Sequence, residues 1–121
     1  MDHRRYMRIL KLDEAELRSR RAFFEITDDD LARLAGLRSF AEKVTDDAVE
    51  EFYALLLSHA ETKKFFPDEL TIRRVKRTQR EYFLGLFAGH CDLAYMEDRL
   101  RVGAIHEQIG LATKWYLGAY R

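Results

Sequence analysis

Apolar side chains recur at steps of three and four residues along most of this chain, a period that confines it to packed α-helices. Ile72, Val75, Thr78, Tyr82 and Leu86 form one such stripe between Asp68 and Gly89. Val49, Phe52, Tyr53, Leu56 and Leu57 form another, with Glu50 and Glu51 on its wet side. The single proline, Pro67, interrupts helices at one place only. With 35% charged residues, that scarcity suits helices better than a β-sandwich or a disordered tail. A length of 121 residues, 47% hydrophobic and 12% aromatic, supplies the core of one domain over 1–121.

Capping residues set the expected helix limits. Asp13 to Phe24 reads as a helix, with Glu14 facing Arg18 one turn on. Thr27 and Asp30 approximate a capping box, opening a helix that puts Leu31, Leu34, Leu37 (or Arg38) and Phe40 on one side. That helix is expected to end near Val44, where Thr45-Asp46-Asp47 caps the next. A short helical turn ends at Phe65-Phe66-Pro67, and Asp92 caps a helix carrying Met96, Leu100, Gly103 and His106. Gly110 closes it, and Leu111 to Arg121 starts another. Residues 1–12 suit a short amphipathic helix or an arm, with no function assigned.

Composition also narrows function. Lysine plus arginine equals aspartate plus glutamate, 21 each, so the run Arg73, Arg74, Lys76, Arg77 and Arg80 reads as a solvated helix face, not a nucleic-acid patch. Cys91 stands alone, which excludes an intrachain disulfide and a cysteine-based metal site. No apolar run approaches roughly 18 residues and no signal-peptide core is present, so no membrane span and a cytoplasmic location are expected. There is no phosphate-cradling glycine loop, nucleophile elbow or two-histidine zinc motif. The carboxylate pairs fall on solvent faces, so enzymatic acid–base chemistry is not expected.

Three polar side chains remain on apolar stripes: His106, Tyr53 and Thr78. His106 lies one turn after Val102 and Gly103 and one turn before Ile109 and Gly110, on an apolar, open face. It suits either a hydrogen-bonded core residue or an iron ligand whose other nitrogen holds a carbonyl or water. Thr78 suits either a pocket hydroxyl or one bonded back to its own helix. Burying three unpaired polar groups would cost about 1–3 kcal/mol each, so a shared partner is economical. A haem with a diatomic ligand fits: His106 on one side, Tyr53 and Thr78 donating on the other, Val75 limiting space, and Phe65 or Phe66 wedging the macrocycle.

The segment VGAIHEQIGLATKWYLGAY resembles the proximal-histidine signature of globin-coupled sensors, and EFYALLL resembles their distal-tyrosine segment. The intervals from Tyr53 to Val75 (22), Thr78 (25) and His106 (53) are similar to the family's, over roughly residues 13 to 121. The resemblance implies an all-α, globin-like fold: an extra N-terminal helix, then A, B, short C, E, F and the start of G. It implies haem b with His106 as the iron ligand and Tyr53 as distal donor. Val75 and Thr78 would line the distal pocket, Phe52, Phe66 and Tyr116 would be further pocket residues, and Trp115 would pack nearby.

The implied function is a dioxygen or other diatomic-gas sensor, not an enzyme, that signals to an output domain or partner protein. Ala112-Thr113 before the Lys-Trp pair departs from the family pattern harmlessly. The chain is also expected to stop within the G helix, leaving a partial globin sensor domain. The remaining G and H helices would supply the back wall and a homodimer interface, and their absence would leave an apolar face prone to self-association. The alternative is a haemless globin-like signalling module whose pocket holds side chains or a lipid. A haem enzyme ranks below both, because no reductase or proton relay is evident.

Overall fold

The structure, a computed structural model, describes residues 3–120. Its elements, all helical among the described residues, are α1 (His3–Ile9), α2 (Glu14–Phe23), α3 (Asp28–Gly36), α4 (Arg38–Leu57), α5 (Ala60–Lys63), α6 (Glu69–Gly85), α7 (Leu93–Gln108) and α8 (Thr113–Gly118). They gather into two compact units, one holding residues up to Arg33 with Gly89–Ala112, the other Leu34–Ala88 with the residues from Thr113.

In the first unit, short polar side chains start the helices. Asp13 accepts from the Glu16 amide at 2.8 Å and Asp92 from the Tyr95 amide at 2.8 Å, each satisfying a donor that the first turn leaves bare. Thr27 and Asp30 form the expected reciprocal box: the Asp30 amide donates to Thr27 Oγ1 at 3.2 Å, and the Thr27 amide donates to Asp30 Oδ2 at 2.9 Å. Leu12, Leu17 and Ala104 are the buried apolar residues of this unit. Tyr6 ties α1 to α7 by donating to Glu107 Oε2 at 2.8 Å. Gly110, at φ +76°, closes α7 in a conformation other residues adopt only at a cost. Within α2 the ion pair is Arg20 with Glu16, not the Glu14–Arg18 pair expected from spacing.

The second unit is built on α4 against α6. Ala41, Thr45, Val49 and Tyr53 recur every four residues along α4, and all four are buried. Asp68 caps α6 by accepting from the Thr71 amide at 2.7 Å. Thr62 in α5 is buried as well, its hydroxyl donating to the Leu56 and His59 carbonyls.

Three boundaries differ from the expectation. The helix does not stop at Val44 and restart at Thr45; it runs unbroken from Arg38 to Leu57, and the break lies at Leu37. A capping Thr45 would point its hydroxyl forward at an amide, but this Thr45 is buried and donates back to the Ala41 carbonyl. The stripe expected from Leu31 to Phe40 therefore splits. Leu31 and Leu34 are half-buried, while Leu37 and Phe40 are 49% and 63% exposed. The helix expected to reach Gly89 ends at Gly85, and the last helix is the shorter α8.

Asp46→Pro separates the two readings of the Thr45 region. At the first position of a new helix proline would be tolerated, whereas inside α4 it removes a backbone bond and clashes with the preceding turn. We expect a loss of about 3 kcal/mol by denaturant unfolding. A loss under about 1 kcal/mol would place a helix start at Thr45 after all.

Candidate functional site

Tyr53 is the polar member of the buried row on α4. It is 4% exposed, and its ring meets Phe52 edge-on at 5.3 Å and Phe66 at 5.5 Å between centroids. Phe52 in turn meets Phe83 of α6 at 6.3 Å. The two aromatic edges leave the phenol pointing at α6, where it donates to the Val75 carbonyl at 3.3 Å. Burial pushes its pKa up to about 12, because a phenolate would be stranded away from water. Tyr53 is therefore a neutral hydrogen-bond donor throughout the physiological range.

His106 sits in the last turn of α7, half-buried, in the other unit. Its Nδ1 lies 2.8 Å from the Val102 carbonyl one turn earlier. A carbonyl only accepts, so Nδ1 carries the proton and the neutral ring has its lone pair on Nε2. Beside it, a Cβ built on Gly103 or Gly110 would meet nothing within 4 Å, and Ile109 is 48% exposed. With Nδ1 committed to that carbonyl, the tautomer of the neutral ring is fixed.

Of the remaining candidates, Val75, Phe52 and Phe66 gather around Tyr53. Thr78 does not. It is exposed, and its hydroxyl donates at 3.1 Å to the Arg74 carbonyl, the local bond that spares a helical threonine any outside partner. Placing Thr78 on the buried stripe is corrected by that bond. Tyr116 of α8 is half-buried and lies 5.6 Å from the Tyr120 ring. Desolvation, followed by hydrogen bonds to Tyr116 and Tyr82, raises the Tyr120 pKa. Trp115 does not approach the Tyr53 cluster through any ring contact; its ring faces His59 at 6.2 Å. Two backbone carbonyls carry geometry here: that of Val75, which no sequence pattern announces, and that of Val102, the kind of partner expected for one nitrogen of His106. The second is legible in principle, since a half-buried helical histidine has a carbonyl four residues back within reach.

A metal held at His106 by side chains alone would need further protein ligands beside it. Among the described residues no group of three or more His, Cys, Asp and Glu could hold an ion. One imidazole with a fixed tautomer suits an iron already held by a macrocycle. The donor set therefore fits a haem.

The chain is similar to known proteins in sequence and in fold. Residues 13–121 match the family described as Protoglobin. The chain is 42% identical over 110 residues to the heme-based aerotactic transducer HemAT of Halobacterium salinarum, covering 90% of this chain and 22% of that protein. It thus spans about a fifth of that relative's length. Among solved structures it is similar to the globin domain of a Geobacter sulfurreducens globin-coupled sensor, with a TM-score of 0.80 and 30% identity over 89% of this chain and 69% of that one.

The buried phenol has a stability signature. Its folded pKa lies above the ordinary value of 10, so its contribution is complete below pH 10 and is lost as pH rises toward about 12, where the unfolded chain gains from ionising. Tyr53→Phe should abolish that part of the alkaline loss of stability, measured by unfolding at pH 9 to about 12. An unaltered alkaline profile would show that Tyr53 is solvated.

Proposed function

The chain belongs to the Protoglobin family, and on that premise we propose that it is a haem-based sensor of a diatomic gas, with His106 holding the iron and Tyr53 hydrogen-bonding the ligand. The supporting observation is the 2.8 Å contact of His106 Nδ1 with the Val102 carbonyl. It commits one ring nitrogen to donation, gives the other a lone pair, and raises its basicity as a ligand. When bound, haem b would supply the iron at which dioxygen, carbon monoxide or nitric oxide is captured.

The chain's own residues set the surroundings. Tyr53 supplies a neutral O–H, its ring held by Phe52 and Phe66 so that the hydroxyl is aimed and not free to rotate away. Such a donor favours dioxygen, whose bound form accumulates negative charge, over carbon monoxide, which accepts hydrogen bonds weakly. Val75 narrows the space beside the phenol and accepts its hydrogen bond at 3.3 Å, a bond that the phenol would exchange for one to the ligand. Thr78 is exposed, and its hydroxyl bonds back to the Arg74 carbonyl of its own helix. Tyr116 is a further pocket residue from α8. The role is binding and signalling to an output domain or partner, within the cytoplasm, with no reaction assigned to this chain.

Haem reconstitution tests this reading. The purified protein should develop a Soret band that shifts with dioxygen, and His106→Ala should lose it. A haem spectrum that survives His106→Ala unchanged would overturn the ligand assignment, and no haem uptake by the unsubstituted protein would favour a haemless signalling module. For Tyr53→Phe, loss of one hydrogen bond to a charged acceptor is expected to speed dioxygen release about tenfold or more. An unchanged release rate, read by stopped-flow, would remove Tyr53 from that role.

A further inference from the structure

The surface formed by α4 and α6 carries an ordered pattern of charge that the gas-sensing reading does not use. From the interior outward, each helix steps through three rows. On α4 the row Thr45 and Val49 is buried, Asp46 and Glu50 are ion-paired, and Asp47 and Glu51 are exposed. On α6 the row Val75 and Gln79 is half-buried, Lys76 and Arg80 are ion-paired, and Arg77 and Glu81 are exposed. The middle rows neutralise each other, Arg80 with Asp46 at 2.7 Å and Lys76 with Glu50 at 2.8 Å. A crevice of about 250 Å³ runs between them, with Val49 among its lining residues and Arg77 on its rim.

The outer rows are not neutralised. Lys43, Asp47 and Glu51 follow one another every four residues on α4, and Arg73, Arg77 and Glu81 do the same on α6. All six are exposed, and among the described residues none of them forms an ion pair. The pairings show that the two helices run antiparallel, since Asp46 meets Arg80 and Glu50 meets Lys76. Read in one spatial direction, α4 therefore presents plus, minus, minus while α6 presents minus, plus, plus.

We propose that this face docks against the same face of a second copy of the chain. A two-fold axis along the crevice lays α4 of one copy over α6 of the other, so that Lys43 meets Glu81, Asp47 meets Arg77 and Glu51 meets Arg73, each twice. The pattern is complementary to itself. A nucleic acid or an anionic membrane would meet Asp47, Glu51 and Glu81 as well as the arginines, and the chain as a whole has no net charge to draw it in. Individually such exposed pairs are weak and screened by salt, so the contact is a reversible, ionic-strength-dependent one.

Sedimentation equilibrium on the purified protein tests this. Self-association should be present at about 20 mM salt and lost by about 500 mM, where screening reaches only a few ångströms. Asp47→Arg and Arg77→Asp should each weaken it about tenfold or more, since each sets like charges opposite one another twice. Mixing the two variants in equal amounts should restore association between them, because every 47–77 contact is then again of opposite sign. Circular dichroism checks that both surface variants keep their helices. A protein monomeric at low salt, an association indifferent to salt or to either reversal, or a mixture that fails to recover would overturn the proposal.

Discussion

Within the unit that holds Tyr53, everything depends on how α6 lies along α4. The buried row Ala41, Thr45, Val49 and Tyr53 advances four residues at a time, and a four-residue row slants across a helix surface instead of following its axis. A partner seated on that row crosses at an angle, and its contacts trace the crossing. Arg38 reaches the Leu84 carbonyl at 3.4 Å, Asp46 meets Arg80, Glu50 meets Lys76, and Tyr53 reaches Val75. As the number on α4 rises, the number on α6 falls. Sliding α6 by one turn would set Tyr53 opposite a different carbonyl and shift both ion pairs together, so the register is fixed by four contacts at once.

The helical class and the cap residues were legible in the sequence because both depend on local chemistry. The Thr27–Asp30 box and Asp92 act within their own first turn, where spacing alone states the geometry, and Asp13 and Asp68, the first residues of two expected helices, cap theirs as well. Thr45 departs from expectation for the same reason. A threonine followed by two aspartates has the composition of a helix start, and only the row it shares with Ala41, Val49 and Tyr53 reveals that it lies mid-helix and faces inward. Local chemistry proposed a cap; tertiary burial overrode it. Residue identity also makes Tyr53 and His106 stand out; a carbonyl for His106 is foreseeable within its own helix, whereas the Val75 carbonyl that Tyr53 meets lies on another helix, where no residue type announces it.

Burial does not oblige these polar side chains to share a partner. Thr78 returns its proton to Arg74, Thr45 to Ala41, and His106 gives one proton to Val102, each to a carbonyl four residues back on its own helix. Helical polar groups of that reach settle their own desolvation locally and demand no ligand. Tyr53 is too long to do so, and crosses to α6 instead. What distinguishes His106 from the two threonines is that its bond fixes the character of a second atom. An imidazole that donates from Nδ1 defines Nε2 as a base, whereas a threonine hydroxyl bonded back to its own helix leaves no such second atom.

The equality of positive and negative charge over the whole chain conceals a strong segregation in this unit. The middle of α4 is acidic and the middle of α6 is basic, and their pairing along the crevice is part of what holds the register that aims Tyr53. Those pairs are partly exposed and individually weak, so they contribute to alignment more than to stability. The same four-residue spacing that slants the buried row repeats in the rows outside it. Interior contact and outer charge pattern are therefore two faces of one register, and a displacement of α6 that disturbed the phenol would also displace the arginines on its outer side.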